Sequence, residues 1–262
     1  IHAGANSAPA PVIVDQATTD FEPLFNRLAG CPGMAPGRRR LAIVMGQLGD
    51  FDSIEYAQAL VPRLDELTKA GIAVQLFAIG DASGADRFAA FTGFPRQQLT
   101  VDAAPDLHRA LNLEPGLVLA GGPWPGFLLM CAGVGSPGTL REVLRGYTGD
   151  RSAEQIFSDD AWIEAFPLPR FQAAMFRRVG GGGFQRPFEL ATQRLRNMNE
   201  VLRHWRTYVP KDDFITQRGA TVLLDVDDQV LYSHRDRALL GYSETMNRPL
   251  AFLDAYLNGQ SR

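Results

Sequence analysis

Residues 41–80, LAIVMGQLGDFDSIEYAQALVPRLDELTKAGIAVQLFAIG, constrain the fold more than any other stretch. Residues 41–45 are an apolar run too short for a helix, bounded by Arg38, Arg39 and Arg40 before it and Gly46 after it. Residues 72–79 are a second such run, opened by Gly71 and closed by Gly80. Between them Ile54, Ala57, Leu60, Val61, Leu64 and Leu67 recur at helical spacing. Asp52 or Ser53 is placed to cap that helix, and Glu55 falls in its first turn, where the dipole favours an acid. This order predicts a right-handed crossover between two parallel strands. Pro62 removes a backbone donor and predicts a kink. The loop 46–52 then falls at the carboxyl end of the first strand, where open α/β sheets place their chemistry. It carries Gly49, Asp50, Phe51 and Asp52, with Ser53 next, and no cysteine, histidine or lysine.

The chain has 262 residues and a formal net charge of −3, too small to point to a nucleic-acid partner. Its two cysteines, Cys31 and Cys131, make neither a metal-ligand pattern nor a disulfide framework, although one bridge between them is left open. Cys31 reads as a loop thiol, and Cys131 as a packed small hydrophobe with an unreactive sulfur. Residues 1–11 read as the remnant of a removed leader or tag, and 15–28 as a short amphipathic helix. No segment provides the ~20 apolar residues of a membrane span. The stretch 115–140 is uncharged but broken by Gly121, Gly122, Pro123, Pro125 and Gly126. A buried internal segment is the default for it; a partner-binding surface and a membrane-dipping segment are the alternatives.

Further helices are expected over 85–92, 105–111, 139–147 and 171–179, with a short strand at 99–101. Gly180 to Gly183 reads as a linker, since no Lys-Ser or Lys-Thr pair follows to make a phosphate loop. Residues 184–208 form a long helical stretch with Phe188, Leu190, Leu195, Met198, Val201, Leu202 and Trp205 as candidate buried positions. Arg194, Arg196, Arg203 and Arg206 give it a basic side. Residues 221–224 and 230–232 are two strands around an Asp-Val-Asp-Asp-Gln turn, and 248–257 a closing helix. Ser233, His234 and Asp236 do not make a hydrolase, because neighbours on a strand face opposite sides.

The order β-α-β, a helical section, then a β-hairpin and a last helix is the plan of the thioredoxin fold. Residues 41–80, ADRFAAFTGFP, LTVDAAPDLHRALNL and ATVLLDVDDQVLYSHRDRALLGY resemble the peroxiredoxin-like (AhpC/TSA-type) proteins of that fold. The resemblance implies an N-terminal extension over 1–39 and a thioredoxin-like domain over 40–262, with a mainly helical insertion at about 117–214. Within the insertion, GSPGTLREVLRGYTGDRSAEQIF and GFQRPFELATQRLRNMNEVLRHWRTYVP resemble a cyanobacterial and plastid subgroup. Peroxide-reducing members carry a G-C-x-x-C or similar loop after the first strand. In that register Asp50 and Ser53 stand where the cysteines would be. A carboxylate is not a peroxide nucleophile, and Ser53 has no histidine or lysine beside it. The usual cis-proline before the hairpin is also missing, since Gln217, Arg218, Gly219 and Ala220 stand there.

The expectation is therefore a redox-inactive binding or structural subunit without cofactor or metal, catalytic residues or transmembrane segment. Its partner would be a protein, such as a photosynthetic membrane complex, and its place a chloroplast or cyanobacterial cell, peripheral to the thylakoid. Trp124, Phe127, Leu128, Arg194, Arg203 and Arg206 are the candidate docking residues. The alternative is a thiol-dependent antioxidant oxidoreductase that uses Cys31 or Cys131. A third reading, a hard cation on Asp50, Asp52 and Glu55, competes with acids that merely suit a helix N-terminus.

Overall fold

The computed structural model describes residues 20–180 and 185–257. The expected leader remnant at 1–11 and the glycines at 181–183 lie outside the described residues. A five-stranded sheet in the order β3-β2-β1-β6-β7 is the centre of the molecule. Strand β1 (Arg39–Gln47) is flanked by β2 (Ile72–Ile79), parallel to it, and by β6 (Ala220–Leu224), antiparallel to it. Strand β3 (Leu99–Asp102) extends the parallel side and β7 (Val230–Arg235) the antiparallel side. This arrangement is thioredoxin-like.

Side chains alternate across β1 as the strand period requires. Leu41, Ile43 and Met45 join the main core with Ile54, Leu60, Phe88 and Val201. Ala42 and Val44 face a second core closed by helix α1 (Glu22–Ala29), through Leu24 and Leu28, and by α5 (Asp106–Ala110), through Leu107. Both faces of the strand are therefore dry, which is why its sequence is an unbroken apolar run. Arg40, read as part of a solvated lead-in, is instead 1% exposed. Its guanidinium pairs with Asp228 in the hairpin turn and donates to Asp225 O, so the acidic turn serves a buried cation.

Between β1 and β2 run α2 (Phe51–Leu60), a 3-10 turn (Val61–Arg63) that contains Pro62, and α3 (Leu64–Lys69). The cap of α2 is Asp50, not Asp52 or Ser53. Helix α4 (Ala82–Thr92) is capped by the Asp81 carboxylate and ends at Gly93 with φ 79°, a left-handed stop that suits glycine.

Residues 117–214, the stretch expected as an insertion and so called below, carry α6 (Pro123–Cys131), α7 (Thr139–Thr148), a two-stranded ribbon of β4 (Trp162–Ile163) and β5 (Phe171–Gln172), α8 (Met175–Gly180), α9 (Glu189–Arg203) and α10 (Trp205–Tyr208). A helix at 171–179 was expected; β5 takes its first two residues and α8 starts at Met175. The chain closes with a 3-10 turn (Ala251–Leu253) and α11 (Asp254–Leu257). The uncharged stretch is not a buried segment: Val118, Leu128, Val134 and Leu140 are all exposed. Among the described residues, every exposed large apolar side chain except Val226 lies between Val118 and Leu202. None of the described helices is long and apolar enough to cross a membrane.

Candidate functional site

The loop between β1 and α2 sits beside the entry to β6, because β1 and β6 pair from Arg40–Leu224 to Val44–Ala220. Gly49 is the loop's tightest point: a Cβ there would lie 2.5 Å from Val209 Cγ2 and 3.1 Å from Tyr208 Cβ. That approach holds the loop against the insertion. Asp50 then caps α2 by accepting from Asp52 N at 3.3 Å. Ser53 is buried inside the helix and Phe51 is half-buried.

The residue facing this loop is Arg218, in the short stretch that leads into β6. It is 1% exposed. Its Nη2 donates to Asp50 Oδ2 at 2.5 Å, its Nη1 to Asp52 Oδ2 at 3.0 Å and its Nε to Thr216 O at 3.0 Å. The Asp52 carboxylate also accepts the backbone N–H of Leu240, at 2.7 and 2.6 Å to its two oxygens. Leu240 is held at φ 56°, a conformation that costs a branched residue energy and that this contact compensates. Asp236, buried in the same group, is a third carboxylate near the one guanidinium. The space left among Asp50, Asp52, Arg218 and Asp236 is about 10 Å³, no more than one water.

The charges follow from this crowding. Burial, joined by Asp50, holds the Asp52 carboxyl well above the usual carboxylate range despite Arg218. Burial pushes Asp236 up to about 7, with Arg218 opposing and Asp50 reinforcing. Burial works against the Arg218 cation, but Asp50, Asp52 and Asp236 outweigh it and fix the charge. Nearby His108 donates from its Nε2–H to Met45 O at 2.6 Å, and burial lowers its pKa to about 4, so it is neutral. The carboxylates that suggested a hard-cation site are thus taken by guanidinium groups. Asp50 and Asp52 are on Arg218, and Glu55 is on Arg194 at 3.0 Å.

Over the outer side of the loop lies a cavity of about 470 Å³ that is partly open to solvent. Gln47, Gly49, Asp50, Phe51 and Asp52 form one side, and residues of α6, α7, α9 and α10 the other. Of the docking candidates, Trp124, Phe127 and Arg194 meet on this cavity. The Trp124 ring lies 5.5 Å from Trp205 and 5.9 Å from Phe127, and its indole N–H donates to Asp212 at 3.0 Å. Arg206 pairs with the same Asp212 at 2.8 Å. Leu128, 62% exposed, and Arg203 face outward. Arg194 is not a free surface cation: it bridges Glu55 and Glu142, each at 3.0 Å. Burial works against its cation, but Glu55, with Tyr242 and Glu142, together outweigh that and keep it charged.

Both cysteines are free, which closes the option of a bridge between them. Cys131 lines the cavity rather than packing in a core. Burial, with Asp50 adding, pushes its thiol up, away from the thiolate. Cys31 sits beside Thr100, 3.9 Å away, on the opposite face of the sheet. Sequence reasoning missed Arg218 and Asp236. The one signal for Arg218 was a charged residue leading directly into an apolar strand.

A family model described as AhpC/TSA antioxidant enzyme matches residues 59–238. The match begins at the end of α2, after the loop 46–53, and runs through the insertion and the hairpin. No curated protein and no solved structure matches the chain significantly.

Proposed function

The chain belongs to the AhpC/TSA antioxidant enzyme family, and from that premise we propose that it is a redox-inactive member that works as a binding or structural subunit. One observation carries the reading. The loop where such a fold would hold a peroxide-attacking thiolate is filled by the Asp50–Arg218–Asp52 ion cluster, with about 10 Å³ left inside it. The cluster itself offers no nucleophile and no space for a substrate, and the larger cavity over it presents a single thiol, Cys131, whose burial keeps it from the thiolate. The surface supports the second half of the reading. Exposed Leu128, Leu129, Leu140, Leu144 and Tyr147 on α6 and α7 offer apolar area of the kind that partner proteins cover. The partner is proposed to be a protein of a photosynthetic membrane complex, with the chain peripheral to a thylakoid in a plastid or cyanobacterium. That placement rests on the subgroup resemblance of the insertion.

Peroxide consumption with a dithiol reductant tests the first half. The wild type is expected to match the blank, and Cys131→Ser to match the wild type. Turnover that disappears in Cys131→Ser or in Cys31→Ser would reinstate the thiol-dependent oxidoreductase. Mild-detergent isolation from the source membranes tests the second half. A complex of fixed stoichiometry, lost in Leu128→Asp, is expected; recovery of the chain alone would end the subunit reading.

A further inference from the structure

The cavity over the loop is long. On its α9 wall Ala191, Leu195, Met198 and Leu202 follow one another along one helix face, about 16 Å of helix. Its 470 Å³ lies in the range of ~300–1,000 Å³ found for small-molecule sites. Half-buried Phe51, Phe127, Val143 and Trp205 form the inner walls. Trp124, Tyr147, Met198 and Leu202 line the same space and are exposed, so they form its mouth.

Nearly every polar side chain on the wall is already engaged. Asp50 and Asp52 hold Arg218, and Arg194 holds Glu55 and Glu142. Thr139 Oγ1 donates to Leu239 O at 2.9 Å, and the Trp124 indole N–H is on Asp212. Gln47 is buried, with its Nε2 on Lys211 O and its Oε1 shut off from the cavity. What is left is the Cys131 thiol, a weak partner, and the hydroxyl of exposed Tyr147. A polar ligand group that entered would lose its water and gain no partner. Hydrocarbon enters without that cost, and each buried methylene is favourable.

We propose that this cavity binds the hydrocarbon chain of a single-chain amphiphile, with the chain along α9 and the polar head at the mouth. Trp124 and Tyr147 suit that boundary, since each combines an apolar ring with a polar edge. The site goes beyond the proposed role as a subunit and does not depend on it, since binding is measured on the isolated chain.

The probes are 1-hexanol, 1-octanol, 1-decanol and 1,8-octanediol. Calorimetry on the full chain is expected to show one saturable site. Affinity for the three alcohols should rise about 15-fold with each added pair of methylenes, the value for full burial. The diol carries a second hydroxyl into the closed end, and should bind at least about 5-fold more weakly than 1-octanol. In Trp162→Phe the two remaining tryptophans, Trp124 and Trp205, both line the cavity, so 1-decanol should shift their emission with the midpoint found by calorimetry. Ala191→Phe, which narrows the slot, should abolish binding while the circular dichroism spectrum is kept. Affinities independent of chain length, a diol as tight as 1-octanol, absence of saturable binding, unchanged emission, or undiminished binding by Ala191→Phe would each overturn the proposal. The alcohol series on the wild type needs no variant, so a folding defect in either variant leaves the test intact.

Discussion

Replacing Arg218 by methionine keeps most of the buried side-chain volume and removes the one guanidinium that Asp50 and Asp52 share. The side chains of both carboxylates are less than a tenth exposed, so water replaces little of what is lost. Breaking a buried pair by deleting one partner costs about 3–5 kcal/mol, and here two acceptors and a nearby third carboxylate, Asp236, lose the same cation. The loss should depend on pH. Without Arg218 the Asp52 and Asp236 carboxyls, already raised by burial, rise further above the unfolded value of about 3.9. A carboxyl raised in the folded state contributes stability that is complete below the unfolded value and is lost as pH rises through the folded value. The penalty should therefore be full near pH 8 and shrink by about 1.4 kcal/mol per pH unit per proton taken up towards pH 5. Urea unfolding of both proteins at these two pH values measures it. Adding Asp52→Asn to the variant should recover part of the loss. A penalty below about 1 kcal/mol, or one equal at both pH values, would falsify the assignment of Arg218 as the neutralising centre.

Two further outcomes follow from the same geometry. Asp236, raised to about 7, takes up a proton that the unfolded chain releases, so its contribution falls as pH rises from about 4 to about 7. Asp236→Asn should remove this fall, on the order of 3–4 kcal/mol across the window, and parallel stability profiles of wild type and variant would contradict it. Gly49→Ala should cost about 1–3 kcal/mol, because its Cβ meets Val209 Cγ2 at 2.5 Å. Thermal unfolding reads this directly, and a wild-type melting curve would refute the tight approach.

Local chemistry made part of the fold legible. Strand β2 has the bounds expected from Gly71 and Gly80, Pro62 interrupts the crossover helix, and the hairpin stands where its acidic turn placed it. What stayed hidden was paired over distance. Leu140, Val143 and Leu144 mark an apolar face on α7, yet Leu140 and Leu144 are exposed and Glu142 is buried. The reason is Arg194, fifty-two residues later, which with Arg145 neutralises Glu142 from the interior side. Arg40 and Arg218 went unrecognised as buried for the same reason: their partners Asp228, Asp50 and Asp52 are 166 to 188 residues away. Periodicity reports which residues avoid water. It does not report which charges are neutralised by a distant segment. The loop 46–53 was found from topology alone, but the cavity over it needed α6, α7 and α9 to be in place.

The exposed apolar side chains between Val118 and Leu202 separate two properties that usually travel together. The sheet and its two cores decide when the chain unfolds. The insertion decides how concentrated the folded chain can become before copies adhere to one another. Salts that strengthen apolar burial, such as sulfate, should therefore act on the two in opposite senses, raising resistance to unfolding while lowering the concentration at which the protein leaves solution. Folding and solubility are governed by different parts of one chain.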